Sequence, residues 1–197
     1  MVTSPLPFLH AAIKSGSFGH VPLAEWTPER IKERDNVGRT TLHLAAYHDC
    51  LGFVPKQVLT DENLLTVDYY GVPLLHCAYK QLDKLPAGWL KEEHLLAADA
   101  DGRTTLHVIV EHECLIDVPE NLLSAKVLLC PDKSGKTPFH LAVMTEQASL
   151  LEGVDFGDST LPRKYLTPEW CERNQTIVAK KRALVEVVSD PDPIDLF

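Results

Sequence analysis

Apolar and polar positions along this chain recur as a phrase, not as one long helical or strand period. Each phrase opens on a turn-like Asp-x-x-Gly, passes through a few polar or small residues, and ends on a bulky apolar residue followed by histidine. Four copies end in Gly38-Arg39-Thr40-Thr41-Leu42-His43, Gly71-Val72-Pro73-Leu74-Leu75-His76, Gly102-Arg103-Thr104-Thr105-Leu106-His107 and Gly135-Lys136-Thr137-Pro138-Phe139-His140. A fifth copy, without its glycine, is Pro7-Phe8-Leu9-His10. The histidines step by 33, 33, 31 and 33 residues, and a near-constant step of this size marks stacked supersecondary units that bury their apolar faces on one another.

Each unit predicts a turn followed by a helix. In Asp35 to Gly38, Asp68 to Gly71, Asp99 to Gly102 and Asp132 to Gly135 the glycine takes a backbone conformation that other residues resist. Thr40, Thr104 and Thr137 stand at the N-cap, and Pro138 stands at the first helical position, where its missing N–H does no harm. The helix that follows carries Leu42, Leu44, Ala45 and Ala46 in one copy and Phe139, Leu141, Ala142 and Val143 in another. Its expected length of about eight to ten residues is too short for stability in water, so stacking must hold it. In the second half of the unit a proline (Pro22, Pro55, Pro86, Pro119) opens one helical turn and a second turn starts about five residues later, as in Trp26-Thr27-Pro28-Glu29 and Leu59-Thr60-Asp61-Glu62. The second helix is therefore expected to be broken in two.

The units start near residues 5, 35, 68, 99 and 132. In the last, 22 residues separate histidine from the Leu161-Pro162 phrase, against 12 in three other copies. About ten extra residues, Leu150 to Ser159, are expected to loop out at the surface. Residues 161–189 read as the end of the fifth unit and a capping helix from Thr167 to about Val188, with Trp170, Ile177, Leu184 and Val188 on one stripe. Residues 190–197 form an acidic tail. The expected fold class is all-α: an α-solenoid of five repeated units with a C-terminal capping helix.

Composition narrows the function. The chain has 45% hydrophobic and 24% charged residues, ordinary for a folded soluble protein. Its net charge is −9, and from residue 161 onward six acids balance six bases, so the excess lies in the repeats. Nucleic-acid binding through the repeats is not expected, because phosphate contacts need a basic face. The five cysteines (Cys50, Cys77, Cys114, Cys130, Cys171) are odd in number and lack a paired framework, which fits reduced thiols in a cytosol-like compartment. No apolar stretch approaches the roughly 20 residues of a membrane span, and Met1 to His10 lacks the features of a signal peptide. A monomeric, cytoplasmic protein with no membrane partner is expected.

At these residues the chain resembles the ankyrin repeat, whose pattern runs Asp-x-x-Gly-x-Thr-Pro-Leu-His-x-Ala-Ala-x-x-Gly-His. His43-Leu44-Ala45-Ala46 and His140-Leu141-Ala142 follow it closely. Pro73-Leu74 in place of Thr-Pro, Asp49 in place of a glycine, and the proline-split second helix, similar to a variant of some bacterial ankyrin proteins, depart from it. The resemblance implies a concave face used for protein partners. Its turn tips are Asn36, Val37 and Arg39, then Tyr69, Tyr70 and Val72, then Ala100, Asp101 and Arg103, then Lys133, Ser134 and Lys136. The exposed pairs late in the first helices are Tyr47 and His48, Lys80 and Gln81, Glu111 and His112, Met144 and Thr145. Among these, Arg39, Tyr47, Tyr69, Tyr70 and Arg103 are residue types that favour binding hot spots.

Other features admit a functional and a plain reading. The in-phase histidines are placed to bond local backbone at a helix start, not to form a metal or acid–base array. Tyr69 and Tyr70 are either an aromatic hot spot or two half-exposed turn residues. His48-Asp49-Cys50 and His112-Glu113-Cys114 look like zinc half-sites, but they stand two units apart and are expected to be a recurring repeat position. No metal, cofactor or catalytic residue is expected, since activated nucleophile, phosphate-loop and metal motifs are missing from the sequence. Lys180-Lys181-Arg182 reads as a solvated helix face. The tail Pro193-Ile194-Asp195-Leu196-Phe197 resembles the Gln-Leu-Asp/Ser-Leu-Phe peptide that docks on the bacterial sliding clamp, without its glutamine. Noncatalytic protein–protein recognition is therefore the leading expectation, with a clamp adaptor recruited through Ile194, Asp195, Leu196 and Phe197, or an enzyme of unrecognised type, as the alternatives.

Overall fold

The computed structural model describes residues 8–151 and Val154. These residues form an all-α array, with no strand or barrel among them. The only extended pairings among the described residues are isolated bridges at Arg34 with Thr40, Val67 with Pro73, and Ala98 with Thr104, which close the turns at the head of three units.

Nine α-helices lie in the described residues. Five follow the turns: α1 (Phe8–Lys14), α3 (Thr41–Tyr47), α5 (Leu74–Cys77), α7 (Thr105–Glu111) and α9 (Pro138–Met144). The four between them are short: α2 (Pro28–Lys32), α4 (Asp61–Leu64), α6 (Glu92–Leu95) and α8 (Ala125–Leu128). The first-half helices pack in succession, α1 on α3, α3 on α5, α5 on α7 and α7 on α9.

The helices are shorter than the pattern suggested, at seven residues in four units and four in the third. Their C-terminal ends explain this. The residue after the C-cap adopts a left-handed conformation at Asp49 (φ 56°), Glu113 (φ 60°) and Glu146 (φ 60°). The next N–H then turns back into the helix, from Cys50 to the Ala45 carbonyl (2.7 Å), from Cys114 to Ile109 (2.9 Å) and from Gln147 to Ala142 (2.8 Å). This is a Schellman closure, which ends a helix abruptly while satisfying its last carbonyls. Asp49 thus occupies the conformation for which glycine is the usual residue.

The second half holds two short turns per unit, as the prolines require. A 3₁₀ turn follows Pro22, Pro55 and Pro119, and the α-helical turn after it begins at Pro28, Asp61 or Ala125. The sequence reading missed a further 3₁₀ turn just before the proline: Phe18–His20, Leu51–Phe53, Leu82–Lys84 and Leu115–Asp117. A final 3₁₀ turn, Ala148–Leu151, corrects the expected loop at 150–159. Leu151 is buried at 1% exposure and closes that turn, so the looped-out stretch does not include it. The rest of the insertion, the capping helix, Lys180-Lys181-Arg182 and the tail from Asp190 to Phe197 lie outside the described residues.

One continuous core runs through the array. Each unit contributes bulky anchors from its first helix (Leu9, Leu42, Leu74, Leu106, Phe139), and all five are fully buried. The intervening helices add Ile31, Leu64, Leu95 and Leu128, and the 3₁₀ turns add Phe18, Leu51, Leu82, Leu115 and Leu151. None of these short segments has the length to persist alone, so their order comes from the neighbour on either side.

Candidate functional site: the face of turn tips and helix ends

The turns are built by one aspartate each. Asp35 Oδ1 accepts the N–H groups of Val37 (3.1 Å) and Arg39 (2.9 Å). Asp68 does the same for Tyr70 and Val72, Asp99 for Asp101 and Arg103, and Asp132 for Ser134 and Lys136. Burial acts to raise the Asp35 pKa, yet the Arg39 guanidinium and the turn N–H groups together hold it below the ordinary carboxylate value. The backbone of each tip is thereby held in place.

The histidines fasten the helix start to this turn. Thr104 N–H donates to His107 Nδ1 at 3.0 Å, while Thr104 Oγ1 accepts the His107 N–H. The same reciprocal box joins Thr137 and His140, and Thr40 N–H donates to His43 Nδ1 at 3.2 Å. An Nδ1 that accepts a hydrogen bond from a backbone N–H leaves the ring proton on Nε2. His107 Nε2–H uses it to donate to the Lys136 carbonyl of the next unit at 3.0 Å. Burial pushes the His43 pKa down to about 4, against the opposing pull of the Val72 carbonyl and Asp68. Burial likewise lowers His10, His76 and His107. These imidazoles are neutral joints at pH 7.

Two features of this network escaped the sequence reading. His94 repeats the arrangement in the second half of the third unit, where Lys91 N–H donates to its Nδ1 and Trp89 stacks on its ring at 4.0 Å. The third unit lacks the box at its first helix because Pro73 has no N–H to donate. His76 instead places Nε2–H on the Ala97 carbonyl at 3.2 Å.

The surface residues named from the resemblance differ in exposure and in the partners they already hold. Tyr47, Tyr69, Tyr70 and Met144 are exposed at 64%, 68%, 67% and 61%, large values for such apolar groups. Arg39 and Arg103 are half-buried and already engaged, Arg39 with Asp35 (2.8 Å) and Arg103 in a close ion pair with Glu111. His112 stacks flat on Tyr79 (4.1 Å, 13°), and Lys80 Nζ lies 5.5 Å from the centre of the same ring. His48 is exposed beside Tyr47, its ring 5.2 Å away. Lys136 is half-buried, and its backbone carries the contact to His107.

These contacts show that the tips and helix ends share one surface. The Arg103–Glu111 pair joins a tip to a helix end within the fourth unit, the Tyr79–His112 stack joins the helix ends of the third and fourth, and Tyr69 lies against Gly38 at the tips of the third and second.

Gln81, expected among the exposed residues, is buried at 5%. The 31-residue step explains the error. The third unit is two residues shorter between histidine and the 3₁₀ turn, so Gln81 occupies the place of Cys50, Cys114 and Gln147 and not that of His48. Its side chain reaches the second unit, Nε2–H donating to the Ala46 carbonyl at 2.7 Å and Oε1 accepting the Leu51 N–H at 2.8 Å. Gln147 makes the same two bonds one pair of units later, to Val110 and Leu115.

The His48 and His112 segments form no cluster that holds a metal among the described residues. Cys50 and Cys114 each donate Sγ–H to the carbonyl of the histidine two residues before, and burial raises the pKa of both thiols. Burial, aided by Asp68, pushes Cys77 up to about 11. These three thiols stay protonated at neutral pH. No helix among the described residues is long and apolar enough to cross a membrane. No family model matches the chain, and no curated protein matches it significantly. The class that the structure itself defines is an all-α protein built of short, successively packed helices.

Proposed function

We propose that this chain is a five-unit ankyrin-like α-solenoid that acts in the cytoplasm as a noncatalytic scaffold, binding a protein partner on the face of turn tips and helix ends. One observation carries the reading. Tyr47, Tyr69 and Tyr70 hold out three large rings from a backbone that needs no rearrangement, for the Tyr69 N–H is bonded to the Val37 carbonyl at 3.0 Å. Exposed aromatic rings on a pre-ordered backbone are the usual anchors of protein recognition, since they bury large area at little entropic cost. Met144 ends its helix in the fifth unit as Tyr47 does in the second, and Lys80 is exposed beside Tyr79 in the third, so the same face continues along the array with changing chemistry.

The test is capture of partners by the full chain and by the double variant Tyr69→Ala plus Tyr70→Ala, each first shown to melt cooperatively. The reading expects the partners' affinity to fall by about thirty-fold or more, the effect of losing a hot spot. Equal capture by the folded double variant removes these rings from the binding face.

A further inference from the structure

Successive units are not joined alike. Between the second and third, the Gln81 side chain clasps Ala46 and Leu51, the Tyr69 N–H donates to the Val37 carbonyl, and the Arg34 guanidinium reaches the Val67 carbonyl at 2.7 Å. Between the fourth and fifth, Gln147 clasps Val110 and Leu115, the Lys133 N–H donates to the Asp101 carbonyl at 3.0 Å, and His107 donates to Lys136.

The joint between the third and fourth units lacks all of these. Cys114 stands where a glutamine would reach back, and its thiol bonds within its own unit. No backbone hydrogen bond joins the two tips among the described residues. A Cβ on Gly38 would lie 2.5 Å from the Tyr69 nitrogen and one on Gly102 3.4 Å from that of Lys133, but one on Gly71 would stand 4.0 Å from that of Ala100. The tips are furthest apart here. His76 Nε2–H bonds Ala97 in the second half of its own unit, and its Nδ1 stands 3.9 Å from the Asp99 carboxylate of the next tip, beyond hydrogen-bond reach. The helix on the near side, α5, is only four residues long and lacks the Thr–His box. What remains is helix packing, the turn-closing bond from the Thr105 N–H to the Ala97 carbonyl (2.8 Å), which has a counterpart from Leu74 to Thr66 at the previous joint, and the Tyr79–His112 stack at the surface.

We propose that units two to five form two clasped pairs, the second with the third and the fourth with the fifth, meeting at a seam between Tyr79 and His112 where this part of the molecule opens and bends first. The sequence carries the same two-unit alternation. Cys50 and Cys114 recur 64 residues apart, as do Arg39-Thr40 and Arg103-Thr104, while Gln81 and Gln147 mark the alternate units. The seam goes beyond the binding reading and divides its face, leaving Tyr47, Tyr69, Tyr70 and Lys80 on one body and Arg103, Glu111, His112 and Met144 on the other. Bending there changes the angle between an aromatic half and a charged half without disturbing either.

Native-state hydrogen exchange of the full chain at sub-denaturing urea tests this. The amides of His48, Leu64 and Ala78 should share one opening, and those of His112, Leu128 and Gln147 a second, with rates differing by about ten-fold or more. One opening common to all six, or His48 and Ala78 falling in different openings, overturns the proposal. Gln147→Leu keeps the bulk and removes the clasp, and it should speed exchange in the fifth unit by about ten-fold while leaving the second and third within about two-fold. Equal acceleration in every unit also overturns it, and if this variant fails to fold the wild-type pattern alone decides.

Discussion

Gln81 and Leu51 are partners across a unit boundary: the buried amide oxygen of Gln81 accepts the N–H that opens the Leu51–Phe53 3₁₀ turn, at 2.8 Å. That N–H has no carbonyl within its own turn to receive it, because the first residues of any helical turn lack an upstream partner. A side chain from the neighbouring unit completes the turn, so local structure in one unit depends on the presence of the next.

Gln81→Ala leaves both the Leu51 N–H and the Ala46 carbonyl buried without their partner. Each such loss costs about 1–3 kcal/mol, so urea denaturation of the folded variant should show a stability lower by about 2–4 kcal/mol. Lys80→Ala, at an exposed side chain one residue earlier, should change it by less than about 0.5 kcal/mol. Equal effects from the two would contradict the clasp.

The buried histidines set an acid limit. Burial holds the His43 imidazole down at about 4, against its ordinary value of 6.5. The unfolded chain therefore binds the extra proton first, and stability is full above pH 6.5, declines as pH falls toward about 4, and is flat for this group below that. The shift corresponds to roughly 3 kcal/mol. His10, His76, His94 and His107 are shifted in the same direction. Asp35 and Asp132 are lowered from 3.8, so their stabilisation is lost only at more acid pH and does not mask this window. Urea midpoints at pH 7, 6 and 5 should fall progressively, and a constant midpoint would contradict the account.

Two glycines separate backbone strain from close approach. Gly38 (φ +87°) and Gly135 (φ +81°) share the left-handed conformation, but a Cβ on Gly38 would stand 2.5 Å from the Tyr69 nitrogen, whereas one on Gly135 would meet nothing within 4 Å. Gly135→Ala should cost about 1–2 kcal/mol, the strain of a left-handed alanine. Gly38→Ala should cost more and shift the Tyr69 amide resonance, because the tip of the third unit must move. Equal melting temperatures for the two variants would argue against tip-to-tip packing.

Much of this was legible in the chain. Asp35, Gly38, Thr40 and His43 each have a local job within nine residues, and local jobs leave local signatures. The broken second half was legible for the same reason, since Pro55 and Thr60 act on their own backbone. Gln81 was misread because its role lies in another unit: nothing within its own stretch distinguishes a glutamine that reaches backward from one that faces water. The signal was the 31-residue step, which slides Gln81 into the place of Cys50 and Cys114. The Schellman ends were hidden as well, because Asp49, Glu113 and Glu146 take the conformation without being glycine. At the candidate site, the exposure of Tyr47, Tyr69, Tyr70 and Met144 was readable by position, while the engagement of Arg39 and Arg103 by Asp35 and Glu111 needed coordinates.

The most direct measurement is a hydrogen-exchange footprint of the full chain with and without its captured partner. Binding at the face of tips and helix ends should slow the amides of Tyr69, Tyr70, Lys80 and His112 by about ten-fold or more, leaving those of the short second-half helices, at Glu29, Glu62 and Lys126, unchanged. Protection confined to those second-half helices, or to residues beyond 154, would contradict the assignment of the binding face.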